Sequence, residues 1–338
     1  MRAATAARVE PAADRLLVVG RGLEDHRVDD LPSLLRAGDL LVVNDAATLP
    51  ASLRGRTATG AEVELRLLGV PSGDAWPALL FGSGDWRTQT EDRPRPPAVA
   101  PGDALRLSDG LTATVARVWP ESSRLLDVRF DRTGAPLLAA LYAQGRPVQY
   151  AYLPDPLSLR SFQTPFAARP WAAEMPSAGR VLTAGRLAAL RRAGIAVASL
   201  THAAGLSSTG EPGLDALLPL PEPYEVPGRT ARQVVATRAR GGRVIAAGTT
   251  VVRALESATR ESGVAAGLGV ARVRVDGGHA LRSVDAILTG MHEPGSSHFD
   301  LLTAFAPAEL LAQAHARADA EGYLAHEFGD SMLVWRVR

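Results

Sequence analysis

The sequence predicts an α/β protein in which a three-layer α/β domain is interrupted by a small antiparallel β-barrel. Two observations predict the α/β part: short apolar segments suited to buried strands alternate with helical patterns, and each apolar segment ends at a polar or glycine-containing turn. A third predicts the barrel, since residues 51–130 change to short alternating segments separated by turn pairs such as Asp109-Gly110.

Length and composition restrict the class further. With 338 residues, the chain is longer than one hydrophobic core usually supports, so we expect an α/β domain at 1–50 and 147–338 and a barrel domain at 51–146. The absence of cysteine excludes disulfides and thiolate metal sites, and the 37 basic residues are all arginine, which excludes a catalytic Schiff-base lysine. Because neither an apolar leader nor a membrane-length apolar run is present, we expect a cytoplasmic protein without membrane association. We also expect a monomer.

The elements of the α/β domain follow in order along the chain. The predicted strands lie at 16–19, 40–43, 195–200, 243–247, 284–288 and 332–335. The predicted helices lie at 31–36, 187–192, 230–240 and 307–320, and a further helix, the fourth in chain order, follows residues 248–250 and carries Val252 and Leu255. Thr230 and Gln233 suggest a capping box at the start of the third helix, and Glu256 and Arg260 suggest an i, i+4 ion pair on the fourth.

Charge does not single out a nucleic-acid binder. The formal net charge is +1, so no strong basic field surrounds the whole protein. Five arginines nevertheless lie close together in the sequence, and they suit either phosphate contacts or an exposed helix face. These arginines are Arg229, Arg232, Arg238, Arg240 and Arg243.

A glycine-threonine turn follows the predicted strand at 243–247. Gly248, Thr249 and Thr250 place amide groups and two hydroxyls where this strand meets the first turn of a helix. The helix dipole there favours anionic or strongly polar ligand groups. The same residues also suit a threonine N-cap after a tight turn. The pattern alone therefore leaves a ligand site and a helix cap as equal hypotheses.

Polar residues follow two other predicted strands. Asn44 and Asp45 come directly after the apolar strand at 40–43, and His202 lies just beyond the strand at 195–200. The carboxyl ends of parallel strands are the usual place for ligand contacts. His202 suits a general acid or base near neutral pH, or a histidine that is hydrogen-bonded at the sheet edge.

The segment 291–298, MHEPGSSH, is dense in polar side chains and follows another predicted strand. It suits three kinds of site. A metal site lacks a recognised ligand spacing between His292 and His298, and a triad of Ser297, His298 and Asp300 lacks the usual assembly across a fold. We therefore favour a substrate-binding loop and predict no metal site.

Taken together, several segments resemble one family, the S-adenosylmethionine:tRNA ribosyltransferase-isomerases of queuosine biosynthesis. The similar stretches occur in the family's order and cover most of the chain. They are GDLLVVND (38–45), LPASLRGR (49–56), FQTPF (162–166), PSAG (176–179), RVIAAGTTVVRALESA (243–258), SVDAILTGMHEPGSS (283–297), LLTAFA (301–306) and FGDSML (328–333).

The resemblance implies an α/β domain interrupted by a β-barrel, in agreement with the pattern of elements. It also implies an activity, in which the ribosyl group of S-adenosylmethionine is transferred to a 7-aminomethyl-7-deazaguanine base in tRNA and isomerised, with release of adenine and methionine. The implied partners are S-adenosylmethionine as co-substrate and, as acceptor, tRNA. No metal or redox cofactor is implied.

Some segments depart from the family pattern. Arg180 and Val181 stand where the family has leucine and histidine, and Ala47 replaces an arginine. His202 and Glu222 are kept in segments that are otherwise changed. A site that has lost hydrogen-bonding groups rejects its old substrate strongly. The departures therefore predict a divergent paralogue that keeps the adenosyl corner and changes the acceptor, which would be a deazaguanine in tRNA or a related nucleoside.

Residue pattern and resemblance together define the predicted site. His202 and Glu222 are predicted to transfer protons. The predicted substrate-binding residues are Asn44, Asp45, Gln163, Ser177, Gly179, Gly248, Thr249, Thr250, Arg253, His292, Pro294, Ser296 and Ser297. Two other functions stay open: a non-catalytic nucleotide- or RNA-binding relative that has kept the fold, and a serine hydrolase that uses the segment around Ser297.

Overall fold

One large mixed sheet and one closed barrel organise the chain in the computed structural model, which describes residues 1–6 and 14–337. The strands are β1 (Arg2–Ala3), β2 (Arg15–Val19), β3 (Leu23–Arg27), β4 (Leu40–Asn44), β5 (Ala46–Thr48), β6 (Ser52–Arg56), β7 (Glu62–Leu67), β8 (Trp76–Phe81), β9 (Ala104–Leu107), β10 (Thr112–Trp119), β11 (Ser122–Phe130), β12 (Arg169–Ala172), β13 (Ala196–His202), β14 (Glu222–Val226), β15 (Val244–Ala247), β16 (Thr259–Arg260), β17 (Gly263–Val264), β18 (Gly267–Ala271), β19 (Ala286–Gly290), β20 (Leu324–Ala325) and β21 (Ser331–Trp335). The α-helices are α1 (Leu31–Leu34), α2 (Gly134–Gln144), α3 (Ala184–Arg192), α4 (Pro212–Asp215), α5 (Gly228–Ala239), α6 (Thr249–Ala258), α7 (Ser297–Leu302) and α8 (Ala308–Ala320).

The large sheet has nine strands in the order β18, β14, β13, β4, β15, β19, β21, β2 and β3. Its centre is parallel, because β4 pairs in parallel with both β13 and β15, and β15 pairs in parallel with β19. The central strand β4 is buried along its whole length, as expected for an apolar strand covered on both faces. Antiparallel strands complete the two sides of the sheet.

Hydrophobic cores on both faces of the sheet confirm the three-layer arrangement. Alternate residues of β4 belong to different cores: Leu40 and Val42 pack with α5, α6 and α8, whereas Leu41 and Val43 pack with α1 and α3. The same alternation holds for β2 and β15. This follows from the two-residue period of a strand, which sends successive side chains to opposite faces.

The predicted antiparallel barrel is also confirmed. Strands β6 to β11 close into a barrel in the order β10, β11, β8, β7, β6 and β9. The predicted hairpin at Asp109-Gly110 joins β9 to β10, and Gly110 adopts a positive φ of 74° that favours glycine. Helix α2 packs on the barrel interior through Leu137 and Leu141. The division at 51 and 146 stays a prediction.

Three expectations about individual elements are wrong. The predicted helix at 31–36 is only the short α1, and β2 is followed by an unexpected antiparallel strand, β3, through a turn at Gly20–Gly22. Thr230 forms no capping box: α5 begins at Gly228 with Pro227 as N-cap, and the Thr230 hydroxyl donates a hydrogen bond to the carbonyl of Ser199.

The predicted Glu256–Arg260 ion pair is not formed either. Helix α6 ends at Ala258, so Arg260 lies beyond it. The buried Glu256 carboxylate instead accepts hydrogen bonds from the backbone of Arg282 and from the backbone and hydroxyl of Ser283. Long-range backbone donors thus replace the local partner that helical spacing suggested.

No helix in the described ranges combines the length and the apolar character that a membrane crossing requires.

A buried ionic cluster lies on the outer side of the barrel wall, where two side chains of β7 alternate with those that face the apolar core. The carboxylate of Glu64 pairs with two arginines: Nε of Arg66 lies 2.7 Å away, and the guanidinium of Arg93 is in contact with it. The same carboxylate accepts a 2.7 Å hydrogen bond from the Ser52 hydroxyl. All three charged side chains are buried. Burial by itself would raise the pKa of Glu64, but the two arginines lower it to about 2. The cluster therefore keeps its charges.

Replacing Glu64 with alanine should leave two buried guanidinium groups without their counter-ion. We expect the free energy of unfolding to fall by about 3–5 kcal/mol. The matched control is Glu62→Ala on the same strand, which removes a carboxylate from an exposed pair with Arg56 and should cost less than about 1 kcal/mol. Urea denaturation measures both, and equal losses would contradict the assignment.

The contribution of Glu64 should also depend on pH. Its pKa is lower in the folded chain than its ordinary value of 4.5, so its stabilising effect is complete above that value and is lost as the pH falls towards about 2. The stability difference between the wild type and Glu64→Ala should therefore shrink over this acid range. A difference that is the same throughout would disagree with an ion pair.

Candidate active site

The candidate site lies at the edge of the large sheet where β4, β13 and β15 end. The Asn44 side chain joins the elements that meet there. Its Oδ1 accepts the backbone N–H groups of Ala46 and His202, at 3.1 and 2.9 Å, and its Nδ2 donates to the His202 carbonyl at 3.0 Å and to the Thr250 hydroxyl at 3.2 Å. One amide therefore links β4, β13 and the first turn of α6.

The neighbouring Asp45 extends this link. Its Oδ1 accepts a 2.6 Å hydrogen bond from the hydroxyl of Thr201, one residue before His202. Its backbone N–H donates to the carbonyl of Leu200 at 2.9 Å. Asn44 and Asp45 thus fix the end of β13 from adjacent positions at the end of β4.

The turn at Gly248 connects β15 to α6. Gly248 is the N-cap of the helix with φ 98°, a conformation that favours glycine, and its N–H donates to the carbonyl of Leu288 at 2.8 Å. Thr249 and Thr250 lie in the first helical turn, so the hypothesis of a threonine N-cap is wrong. The N–H groups of the first two helical residues, Thr249 and Thr250, have no acceptor within the helix, whereas that of Val251 already donates to the carbonyl of Gly248 at 3.2 Å. The corner thus presents N–H groups and hydroxyls at one place.

The segment Ser177–Gly179, a single 3-10 turn, packs against this corner. A Cβ atom built on Gly248 would lie 3.3 Å from the Cβ of Ala178, which shows how closely the two backbones approach. A Cβ on Gly179 would lie only 2.6 Å from the Phe166 ring. Glycine at 248 therefore leaves room for the PSAG turn, and glycine at 179 leaves room for the Phe166 ring.

His202 lies fully buried at the end of β13. Its backbone is held by Asn44, but neither ring nitrogen has a hydrogen-bond partner among the described residues. The Nε2 atom is 3.5 Å from Oε2 of Glu222. Burial, together with the positive charge of Arg253, holds the pKa of His202 well below its ordinary value. The ring is therefore a neutral imidazole with an unused lone pair, which differs from a histidine hydrogen-bonded at a sheet edge.

Glu222 and Arg253 form a buried pair beside this imidazole. A guanidinium nitrogen of Arg253 contacts Oε2 of Glu222, and Oε1 of Glu222 accepts the backbone N–H of Gly205 at 2.7 Å. Arg253 also donates to the carbonyls of Leu220 and Ala271, at 3.2 and 2.9 Å. Burial lowers the pKa of Arg253 to about 10, so it remains charged at neutral pH.

The segment 291–298 supplies a further wall through two histidines. The rings of His292 and His298 stack with centroids 4.9 Å apart, and Nε2 of His292 lies 2.6 Å from the Thr289 hydroxyl. Burial lowers the pKa of both rings, that of His298 to about 4 with a further contribution from Arg253. Both rings are therefore neutral at physiological pH.

Other residues of this segment have local roles. The Ser296 hydroxyl caps α7 by accepting the N–H of Phe299 at 3.2 Å, Ser297 begins that helix, and Pro294 is exposed. Ser297 and His298 form no hydrogen bond with each other within the described chain, and the nearest charge to Asp300 is Arg274, at 3.5 Å. The residues of the postulated triad are therefore not assembled for a nucleophilic attack.

Gln163 lies on a supporting element. Its side-chain amide accepts the backbone N–H of Thr48 at 3.0 Å and donates to the carbonyl of the same residue at 2.9 Å. It thereby fixes the end of β5, and both ends of its amide group are occupied. Among residues 1–6 and 14–337, no three histidine, aspartate or glutamate side chains are grouped as metal ligands.

An aromatic row that the sequence pattern missed lies beside the histidine wall. The ring of Tyr152 stacks between Tyr150, 6.4 Å away, and His326, 4.2 Å away. The Tyr150 hydroxyl donates to the carboxylate of Glu174, and burial raises the pKa of that carboxyl group. His326 also adopts a left-handed φ of 68°. No spacing signal connects these positions, because tertiary contacts alone bring them together.

Comparisons with known proteins agree with this architecture. A family model described as "Queuosine biosynthesis protein" matches residues 2–334. The S-adenosylmethionine:tRNA ribosyltransferase-isomerase of Anaeromyxobacter sp. (strain K) is 39% identical over 337 residues, which cover 96% of this chain and 93% of that protein. The protein of the same name from Thermus thermophilus is 36% identical and covers 95% of this chain and 92% of its own.

A solved structure supports the fold. The crystal structure of S-adenosylmethionine tRNA ribosyltransferase from Thermotoga maritima superimposes with a TM-score of 0.53 at 24% identity, covering 98% of this chain and 95% of that one. The structural match thus extends over the barrel as well as the large sheet. With the family model and the curated relatives, which span nearly the whole sequence, it leads to one conclusion: the chain belongs to the family of queuosine biosynthesis proteins.

Proposed function

We propose that this protein transfers the ribosyl group of S-adenosylmethionine to a 7-deazaguanine-type base in tRNA and isomerises it, releasing adenine and methionine. The observation that carries the proposal is the buried imidazole of His202, whose ring nitrogens have no hydrogen-bond partner among the described residues and which lies beside the Glu222–Arg253 pair. Relatives at 36–39% identity are named for this reaction. S-adenosylmethionine is the only small co-substrate that the proposal requires.

The corner at Gly248 suits the donor. Its first-turn amides and the hydroxyls of Thr249 and Thr250 can bind polar or anionic groups of S-adenosylmethionine. The nearby imidazoles of His202, His292 and His298 are neutral, because burial lowers the pKa of each. A neutral wall accommodates a sulfonium cation without the repulsion that protonated histidines would cause.

His202 suits the proton transfer that starts the reaction. The sulfonium charge acidifies the adjacent C–H bond of the donor, and a base must remove that proton. A neutral imidazole with an unused lone pair is such a base, and its depressed pKa keeps it unprotonated at neutral pH. Burial excludes the water that would otherwise compete for the reactive centre.

Glu222 and Arg253 position this base in our proposal. Both carboxylate oxygens of Glu222 are already contacted, one by Arg253 and the other by the N–H of Gly205. Nε2 of His202 lies within 3.5 Å of that carboxylate. Glu222 can therefore orient the imidazole and stabilise the imidazolium that forms after proton transfer, as a buried carboxylate does in other acid–base pairs.

The acceptor and the compartment follow from the same proposal. A base within tRNA must leave its stack to reach a buried centre, so the aromatic row of Tyr150, Tyr152 and His326 is a suitable surface for it to stack on. Since tRNA is a cytoplasmic molecule in bacteria, we propose the cytoplasm as the place of action. Of the changed residues, Val181 is buried in the core beside α3, and Arg180 donates to the carbonyls of Glu327 and Gly329.

One experiment tests the whole reaction. Purified protein is incubated with S-adenosylmethionine and tRNA that carries the deazaguanine base, and mass spectrometry follows free adenine and the ribosyl adduct on the RNA. Both products are expected. Binding of S-adenosylmethionine or tRNA without either product would indicate the non-catalytic relative instead and would refute the transferase. The unassembled residues around Ser297 give the hydrolase hypothesis no support.

Replacing His202 with asparagine should lower the rate of adenine release by about 10²–10⁴-fold, the usual loss when a general base is removed. The dissociation constant for S-adenosylmethionine should change little. His315→Asn on α8, outside the site, is the matched control and should keep full activity. Single-turnover assays measure the rate and calorimetry the binding; an unchanged rate in His202→Asn would remove this residue from the mechanism.

The pH dependence provides a separate check on His202. Because its pKa is lowered in the folded chain, the acid limb of kcat/KM should lie below pH 6.5, the ordinary value for histidine. Above that limb the base is unprotonated and the rate should be level. An acid limb at or above the ordinary value would indicate that another group is the base.

Replacing Gly248 with alanine should disturb the donor corner. The residue has φ 98°, and an added Cβ would approach Ala178 to 3.3 Å, so we expect a stability loss of about 1–3 kcal/mol and weaker binding of S-adenosylmethionine. Gly185→Ala within α3, where an added Cβ meets no atom closer than 3.9 Å, is the control. Calorimetric titration compares the two variants, and wild-type affinity in Gly248→Ala would contradict the assignment of the corner.

A further inference from the structure

A basic groove runs along one side of the large sheet, away from the buried centre. It consists of two recesses of about 410 and 300 Å³ that share Arg229 and Gln233 of α5. The first recess continues along α5 to Arg240 at the C-terminal end of the helix, and the second extends to Arg191 of α3. We call the combined feature the arginine groove.

Four exposed arginines line this groove: Arg191, Arg229, Arg232 and Arg240. None of their side chains forms a hydrogen bond or an ion pair with another residue in the described ranges. The described residues that line the two recesses include no aspartate or glutamate. The groove therefore has concentrated positive charge with no internal counter-ion.

The contrast with neighbouring arginines supports this conclusion. Arg238 lies on the same helix but pairs with Asp285 at 3.0 Å, and Arg243 pairs with the buried Asp39. Of the five arginines clustered in the sequence, two are thus structural, and three remain free to contact a partner. Tertiary contacts separate the two groups, which the sequence alone does not show.

The free edge of β13 forms the floor of the groove. Strand β14 pairs with β13 only at Thr201 and His202, so the first part of β13 has no neighbour on that side among the described strands. Helix α5 passes beside it, and Thr230 binds the carbonyl of Ser199. The side chains of Ala196 and Ser199, which line the recesses here, are small and leave room for a ligand above the strand.

The groove leads towards the candidate active site. Its second recess is lined by Val43, the residue before Asn44, and by Phe166, whose ring packs against Gly179 in the PSAG turn. The recess therefore borders the end of β4 and a residue that contacts the PSAG turn, and both of these segments belong to the candidate site. The position suits an extended polyanion whose reactive part reaches the buried centre.

We propose that the arginine groove binds the phosphate backbone of the acceptor tRNA, next to the nucleotide that is modified. This inference rests on the proposed function, which makes tRNA the acceptor. Arg229 and Arg240 are 11 positions apart along α5, which corresponds to about 16 Å, so one helix can contact several consecutive phosphates. Guanidinium groups match phosphate geometry through paired N–H donors.

RNA fits the groove better than an acidic protein segment does. The lining residues offer charged donors at intervals along a shallow surface, whereas a docked peptide requires deep apolar pockets for alternate side chains. The charges are exposed and unpaired, so each contact releases counter-ions from the nucleic acid and should depend on salt. An acidic peptide is therefore the competing occupant in the test.

The test uses the full chain and an unmodified tRNA transcript as the probe. In the groove variant, Arg229, Arg232 and Arg240 are replaced with glutamine, which keeps helix propensity and removes three charges. The control variant carries the same replacement at three exposed, unpaired arginines elsewhere, Arg21, Arg95 and Arg106. A third variant replaces the groove arginines with lysine. Filter binding at several salt concentrations gives the dissociation constant and the slope of its logarithm against that of salt.

The groove variant should bind tRNA at least about tenfold more weakly and should lower the salt slope by about 2–3, roughly 0.7–0.9 for each lost phosphate contact. The control variant should stay near the wild type, and the lysine variant should recover most of the binding. Equal losses in the groove and control variants would overturn the inference, since only net charge would then matter. Binding of polyglutamate in preference to tRNA would overturn it as well.

The same variants distinguish failure of this inference from failure of the proposed function. If the groove variant binds tRNA like the wild type while the wild type still forms the ribosyl adduct, the groove is not the docking surface but the transferase proposal stands. If tRNA binding depends on the groove and no adenine is ever released, the docking surface stands and the transferase proposal fails. Melting temperatures of all variants exclude unfolding as the cause of a binding loss.

Discussion

The side-chain amide of Asn44 is the interaction on which the carboxyl edge of the sheet depends. Strands end and a helix begins there, and each leaves polar groups that need partners. The oxygen of the Asn44 amide accepts two hydrogen bonds and its nitrogen donates two, and these four bonds fix β4, β13 and α6 relative to one another. His202 owes its position to the two bonds that Asn44 makes to its backbone, and its ring is left free as a result. The position of the candidate base thus depends on an amide whose hydrogen-bonding groups are all used.

Local pattern was sufficient for much of the fold. The all-apolar strand at 40–43 and the similar strand at 243–247 are parallel neighbours, and the Asp109-Gly110 turn joins two barrel strands, because these features depend on residues close in sequence. The errors share a different cause. Thr230 and Glu256 suggested local partners, but the nearest available backbone groups come from Ser199 and from residues 282–283, which only the folded chain brings close. Tertiary contacts replaced the helical neighbours that spacing predicts.

The site shows the same division. Asn44, His202 and Gly248 could be found because each lies at or just after the end of a strand, and strand ends gather at one edge in a parallel sheet. The state of these groups could not be found, since the neutral imidazole depends on burial and on Arg253, which is 51 positions away in sequence. The stacked row of Tyr150, Tyr152 and His326 joins segments that have no common pattern. The sequence thus indicated where the site lies, whereas the charge states of its groups follow only from the folded structure.

The ionic cluster on the outer side of the barrel shows what arginine provides at a buried position. The Phe81 ring lies 4.4, 5.2 and 4.6 Å from the guanidinium carbons of Arg66, Arg93 and Arg124, so three cations share one aromatic face or edge. Burial opposes the charge of Arg66, but Glu64 beside it raises the pKa of its guanidinium further. A flat, delocalised cation can stack on a ring and bind a carboxylate at once, whereas a lysine ammonium is a compact charge that loses its proton readily when buried. Lysine at these buried positions would therefore lose both the ring contacts and the paired hydrogen bonds, even though the two residues carry the same charge at the protein surface.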